Sequence, residues 1–246
     1  MARFFGKLIE HLVSKLSCDS IAVSAATKNN LESIGVESEN IHIIPNGIDI
    51  ERIEQTVPSS DGCDILFAGR LIKEKNVDML LEAVNHLRQT VPDIKCHIIG
   101  DGPEKERLIG LACERGLLDN VKFSGFMGYD EIIACMKSSK VLVLPSTREG
   151  FGMVVIEAFA CGVPVITVKN QRNAASMLVS EGTGFVVGTD AGELSDAIRT
   201  IITDGVLRKK MSSAALDASR AYDWDMMVSE LTHFYMELIQ DYHPIG

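Results

Sequence analysis

Val141-Leu142-Val143-Leu144-Pro145-Ser146-Thr147-Arg148-Glu149-Gly150-Phe151-Gly152-Met153-Val154-Val155-Ile156-Glu157-Ala158-Phe159-Ala160-Cys161-Gly162-Val163-Pro164-Val165-Ile166-Thr167-Val168 reads as strand, loop, helix and strand in succession. Residues 141–144 are apolar throughout, the pattern of a strand buried on both faces. Pro145 ends that run, because proline has no amide to donate to a ladder. Gly150 and Gly152 clear side chains from the start of the apolar helix 153–160. Gly162 and Pro164 then turn the chain into a second apolar run at 164–168. A unit of this kind packs its two strands parallel in one sheet.

The same alternation extends in both directions. Further β-rich runs lie at 64–68, 94–99, 121–124 and 184–187, with helical patterns between them, as at 77–87 and 104–115. This predicts an α/β fold, a Rossmann-like doubly wound parallel sheet over residues 64–221. Right-handed crossovers put the loops after the strands along one edge, where ligands of such folds bind. Residues 190–203, 205–219 and 224–242 read as three consecutive helices, the last within a C-terminal segment 222–246. Upstream, residues 20–24 and 41–44 read as short strands with a helix between. Pro45-Asn46-Gly47 marks a turn or hinge. Residues 51–63 are polar and irregular, so 46–63 reads as a linker and 1–45 as a separate remnant.

The bulk composition narrows the function classes. The 246 residues are 46% hydrophobic and carry a net charge of −10, which argues against a sequence-independent nucleic-acid binder. Cys18, Cys63, Cys96, Cys113, Cys135 and Cys161 show no C-x-x-C spacing. They read as buried free thiols suited to a reducing cytoplasm. The histidines form no metal-like spacing, and no Ser–His–Asp order surrounds a nucleophile elbow. No apolar run is long enough for a membrane span. Phe4, Phe5, Leu8, Ile9, Leu12, Val13 and Leu16 repeat at helical spacing among Arg3, Lys7 and Lys15. That pattern suits a helix packed on a core, and it also suits a peripheral helix on a membrane surface.

Four post-strand loops carry residues fit for a phosphorylated ligand. In the first, Gly69 permits close backbone approach, Arg70 offers a planar fork to phosphate oxygens and Lys75 a point charge. Asn76 suits the N-cap of the next helix, which places Lys75 at a helix mouth. Gly100-Asp101-Gly102-Pro103 lacks the full G-x-G-x-x-G and reads as a structural turn that can also line a cleft. Gly125-Phe126-Met127-Gly128 serves equally as a wall for a flat base or as an apolar plug. The fourth loop carries the most. Its glycines let the helix amides face a phosphate or sugar oxygen. Glu149 stands at the mouth. Glu157, about 7 Å along the axis, leans back toward the N-terminus. Carboxylates accept well from vicinal hydroxyls. Glu157 sits in an otherwise apolar stretch, where a charge needs partners.

Gly69-Arg70-Leu71 with Lys75-Asn76, Gly100-Asp101-Gly102-Pro103, Glu149-Gly150-Phe151-Gly152 with Glu157, and Gly162-Val163-Pro164-Val165 together resemble the retaining glycosyltransferases of family 4, with the GT-B fold. Pro45-Asn46-Gly47-Ile48-Asp49 is similar to that family's interdomain junction, and Val23-Ser24 plus the following helix to the end of its N-terminal domain. The resemblance covers nearly the whole chain, and its Glu-x7-Glu element is the most specific part. It implies transfer of a sugar from a nucleotide-diphosphate sugar of UDP or GDP type with retention, no cofactor and no metal. Arg70 and Lys75 would bind the diphosphate. Glu157 would hold the ribose. Glu149 and the amides of Gly150, Phe151 and Gly152 would hold the sugar and its phosphate. The base would lie near Phe126 and Met127, and Gly69 would let the backbone approach the ligand closely. The leaving phosphate would help deprotonate the acceptor, so Glu149, Arg70 and Lys75 are the catalytic candidates.

Two departures stand out. The family's Gly-rich, Glu-containing loop reads here Lys169-Asn170-Gln171-Arg172-Asn173-Ala174-Ala175, without the acid and with two cations. That implies an anionic sugar or acceptor. Residues 1–45 also match only the tail of an acceptor-binding domain. The expectation is therefore a shortened form, a gene fragment or one subunit of a split enzyme, completed by an N-terminal half or by a second copy. The competing readings are a catalytically incomplete binding subunit and a sugar-nucleotide epimerase, which shares the fold. Base, sugar and acceptor are not specified.

Overall fold

The computed structural model describes residues 19–241. The expected helix over residues 4–16, and Cys18, lie outside them. Six parallel strands form the central sheet: β3 (Cys63–Ala68), β4 (Cys96–Ile99), β5 (Val121–Phe123), β6 (Ser139–Leu144), β7 (Val165–Val168) and β8 (Gly184–Val187). Their spatial order is β5-β4-β3-β6-β7-β8. The chain thus winds outward from β3 one way, returns to β6 and winds the other way, the doubly wound order. The register is fixed by pairs such as Leu66 with His97 and Leu66 with Leu142. Every residue of β4 and β7 is buried, and all but His97 and Thr167 are apolar, which is why these strands read as largely apolar runs.

Helices cover both faces: α3 (Val77–Leu87), α4 (Lys105–Glu114), α5 (Tyr129–Lys137), α6 (Met153–Ala160), α7 (Ala191–Thr203) and α8 (Gly205–Ser219). The amphipathic α3 buries Val77, Leu80, Leu81, Val84 and Leu87, and Ile198 and Ile201 of α7 join it in the main core. α6 is apolar on nearly all sides because the sheet, α8 and a second cluster surround it. That cluster joins Ile48, Ile53, Ile133, Phe151, Ile156 and Ala160.

Before the sheet, β1 (Ser20–Ala22) and β2 (Ile41–Ile43) make a separate parallel pair, with helix α1 (Ala25–Ser33) between them. Lys28 Nζ donates to the carbonyls of Ser38 and Ile41, tying α1 to this pair. The Pro45–Gly47 turn leads to Ile48, whose amide donates to Tyr222 O at 2.8 Å while Trp224 N donates to Ile48 O at 2.9 Å. The last helix α9 (Trp224–Asp241) starts from that crossing and returns to β2, where Phe234 stacks on His42 at 4.4 Å.

Three expectations need correction. Residues 51–63 are not irregular throughout, since Ile50–Gln55 form a short helix. Asp49 Oδ1 caps it by accepting from Arg52 N at 2.9 Å, and Ile53 is fully buried. Its polar composition hid a single apolar anchor behind a good cap. Asn76 does not cap α3 with its side chain. It adopts a left-handed φ of 47°, and its Nδ2 donates to Pro145 O at 3.0 Å. Asparagine tolerates that backbone better than most residues. Cys113 is exposed, whereas Cys96 and Cys135 are buried and Cys63 and Cys161 partly so.

Candidate functional site

The strand order reverses between β3 and β6, so the loops leaving these two strands diverge and open a cleft. Gly69 and Lys75 come from the β3 loop. Glu149, Gly150, Phe151 and Gly152 come from the β6 loop, and Glu157 from α6. All line one cleft of about 520 Å³, together with Val23 and Asn46 from the segment before the sheet. Arg70, Phe126 and Met127 lie in an adjoining recess of about 310 Å³, which shares Gly69 and Ile132 with the first. Residues from three separate post-strand loops thus converge on one edge.

Close backbone packing explains the glycines of the second loop. A Cβ on Gly100 would collide with the Gly69 carbonyl, and one on Gly102 with that of Leu71. These two glycines therefore seat the β3 loop. Gly152, just before α6, has φ 111°, and a Cβ there would lie 2.6 Å from that of Ala175. Nothing lies within 4 Å of the Cβ direction of Gly150, so that backbone is open to approach. The Phe151 side chain turns inward instead, edge-on to Tyr222 at 5.9 Å.

Lys75 Nζ donates to Glu149 Oε1 at 2.5 Å, with both side chains mostly buried, at 17% and 14% exposure. The two charges expected to contact different parts of a ligand are here paired with each other. Glu157 is different. Among the described residues its carboxylate has no hydrogen-bond or ion-pair partner, and burial pushes it up to about 7. Desolvation disfavours the charged form when nothing compensates it. Burial, and then the neighbouring Glu157, raise the phenol of Tyr129, whose ring also carries the Arg52 guanidinium at 5.0 Å. Phe126 is 87% exposed, a bare aromatic face, whereas Met127 packs partly on the core. Arg70 is exposed at the rim.

Ser24 and Thr27 were not singled out from the sequence as site residues. Ser24 Oγ donates to Gly150 O at 2.8 Å and Thr27 Oγ1 to the same oxygen at 3.2 Å. Their signal was the helix-capping pattern, which does not reveal a second, long-range acceptor. Asn173 was also missed as a support. Buried in the loop after β7, it donates to Thr167 Oγ1 and to Val168 O, and it bridges Glu149 along the backbone.

In a separate recess at the opposite edge, near β4 and β5, Lys122 pairs with Asp61 at 2.7 Å. His97 there bonds Ser124 at 2.6 Å, and burial lowers its pKa. Among the described residues no cluster of histidine, cysteine or acidic groups is arranged to hold a metal ion. No helix among them is long and apolar enough to cross a membrane.

Known proteins give this geometry a context. The family model described as glycosyl transferases group 1 matches residues 49–217, and that of glycosyltransferase family 4 matches residues 2–52. A glycogen synthase of Mycobacterium tuberculosis is 29% identical over 224 residues, covering 89% of this chain and 54% of that protein. A phosphatidyl-myo-inositol mannosyltransferase of Mycobacterium leprae is 29% identical over 222 residues, with shares of 87% and 58%. The structure of Anabaena HepE in complex with UDP superposes with a TM-score of 0.82 at 25% identity, covering 92% of this chain and 65% of that one. Sucrose-phosphate synthase of Thermosynechococcus elongatus gives a TM-score of 0.83 at 24% identity, with shares of 96% and 62%. The chain spans about half the length of the curated relatives it matches.

Proposed function

The chain belongs to the glycosyl transferases of group 1, and from that premise we propose that its cleft is the donor half of a retaining glycosyltransferase that uses a nucleotide-diphosphate sugar. The observation that carries this reading is Glu157, a desolvated carboxylate in a cleft with no partner of its own. Two vicinal ribose hydroxyls supply the donors it lacks. The diphosphate then lies against Gly69, Arg70 and Lys75. Binding exchanges the Lys75–Glu149 pair for two new ones, lysine on phosphate and Glu149 on sugar hydroxyls. The amides from Gly150 to Gly152, at the head of α6, face the sugar and its phosphate. The base rests on Phe126 and Met127.

In this reading Arg70 and Lys75 stabilise the charge that grows on the leaving diphosphate. The leaving phosphate oxygen takes the acceptor proton, which needs no protein base, and no cofactor or metal is required. Residues 46–63 act as the junction to an acceptor-binding unit, to which residues 19–45 belong. Titration calorimetry with UDP, GDP and ADP, alone and as sugar nucleotides, tests the assignment. Binding of one nucleotide series, weakened in Arg70→Ala and Glu157→Ala, is the expected result. Absence of binding by all three overturns it.

A second reading has its own support, namely that this chain is a binding subunit completed by a partner. Trp224, Met236 and Ile239 of α9 are 57%, 56% and 67% exposed, and Ile21 and Ile43 of the two-stranded sheet are also open. Substantial sugar transfer to an added acceptor by the purified chain alone would overturn that version.

A further inference from the structure

Three loops at the carboxyl edge of the sheet are sewn to one another through the backbone. Thr147 N donates to Glu74 O at 2.8 Å, Glu149 N to Arg172 O at 2.9 Å and Ala174 N to Glu149 O at 2.9 Å. The parallel bridge between Glu149 and Asn173 sets Arg148 beside Arg172 in register. The stitched loops also carry Arg70, Lys73, Lys75 and Lys169.

Of these cations only Lys75 has a carboxylate. Arg70, Lys73, Arg148, Lys169 and Arg172 are exposed and have no side-chain hydrogen bond or ion pair among the described residues. Elsewhere the chain pairs cations readily, as with Arg52 on Asp130, Arg115 on Glu82 and Lys140 on Asp64. The protein has 34 acidic residues against 24 basic ones, so acids are not scarce. Yet this edge holds five exposed cations without a carboxylate partner, with the exposed Glu74 among them, on loops that hydrogen bonds keep close together. An excess of positive charge of this kind favours an incoming anion.

A donor diphosphate accounts for Arg70 and Lys75 but not for the second group, Arg148 and Arg172, which immediately precede the bridge partners Glu149 and Asn173. Glu149 is the residue assigned above to the transferred sugar, and the inference rests on that reading. We infer that the substrate group next to Glu149 carries an oxyanion of its own, recognised by Arg148 and Arg172. It is a carboxylate on the transferred sugar or a phosphate on the acceptor. Arginine's planar fork suits both. No hydroxyl of a neutral hexose calls for two guanidinium groups on neighbouring backbone positions.

The test uses the whole chain and the nucleotide series that binds. Calorimetry compares the nucleotide alone, its neutral hexose derivative and its hexuronate derivative. A separate arm adds glucose 1-phosphate or glucose to protein saturated with the nucleotide. We expect the anionic member of one of these pairs to bind about tenfold or more tighter than its neutral counterpart. We expect the preference to vanish in the double variant Arg148→Gln with Arg172→Gln, while affinity for the bare nucleotide is unchanged. A hexuronate preference assigns the oxyanion to the donor, and a sugar-phosphate preference assigns it to the acceptor. If the nucleotide binds but neither pair discriminates, or if discrimination survives the double variant, the inference is overturned and the donor reading stands. If no nucleotide binds, both fall.

Discussion

Glu157→Gln separates what the site costs the fold from what it contributes to binding. A carboxyl held at about 7 instead of 4.5 disfavours its charged form in the folded protein by about 3 kcal/mol. The native state grips this proton more tightly than the unfolded chain does. Stability from the neutral form is therefore complete below about pH 4.5 and is lost as pH rises through about 7. Glutamine keeps the shape and removes the titration. At pH 8 the variant should be more stable by up to about 3 kcal/mol, or roughly 5–10 °C in Tm for a chain of this size. At pH 4.5 the two proteins should melt together. The same change should weaken binding of the sugar nucleotide about 10- to 100-fold, because charged acceptors of the ribose hydroxyls are lost. Wild-type affinity should fall about tenfold between pH 8 and pH 6, as the carboxylate takes up its proton. The diphosphate of a sugar nucleotide is esterified at both ends and does not titrate there. Thermal unfolding at both pH values and calorimetry across the range provide the readouts. A variant no more stable at pH 8, or donor affinity that is flat with pH, would refute the reasoning.

Other residues answer separate questions. Glu149→Gln frees Lys75, so the variant should bind nucleoside diphosphate at least as tightly as wild type but the sugar nucleotide more weakly; equal losses for both ligands in calorimetry count against the exchange of pairs. Lys75→Ala should weaken both ligands, since phosphate loses its point charge. Gly152→Ala places a methyl 2.6 Å from Ala175 Cβ at a φ of 111°, and should cost about 1–3 kcal/mol in denaturant unfolding as well as donor binding. Asp49→Ala removes the cap of the 50–55 helix and should cost about 1 kcal/mol with donor affinity intact, measured by the same two assays.

Much of the fold was legible because parallel strands declare themselves. Residues 96–99 and 165–168 are buried on both faces, and each run carries only one polar residue, His97 and Thr167, whose side chain is hydrogen-bonded inside the fold. Two glycines, Gly100 and Gly102, were visible as punctuation, but their cause lay across the sheet in the carbonyls of Gly69 and Leu71. The 50–55 helix was missed because six residues are too few to show a period. Asn76 was read as a capping acceptor from local sequence. Its actual partner, the Pro145 carbonyl, is 69 positions away and follows from strand order. The same limit applied at the site. The sequence placed Lys75 and Glu149 each on a loop, but only the adjacency of β3 and β6 brings them together. The hydroxyls of Ser24 and Thr27 were equally hidden, since they reach a loop more than 120 positions away.

The crossing at Ile48 gives the molecule a particular mechanics. The incoming chain and the outgoing start of α9 are clamped there by two hydrogen bonds, a post for the β1–α1–β2 piece, which also meets α9 through His42 and Phe234 and packs Val23 on the second apolar cluster. The piece also holds the sheet domain at the site, where two hydroxyls grip a single carbonyl, that of Gly150. Swinging the piece away breaks those two bonds, at roughly 1 kcal/mol each. It also frees the carbonyl of Gly150, a residue with open space on its side-chain side. Post and latch thus make the position of the N-terminal piece and the orientation of the Gly150 peptide a single mechanical variable.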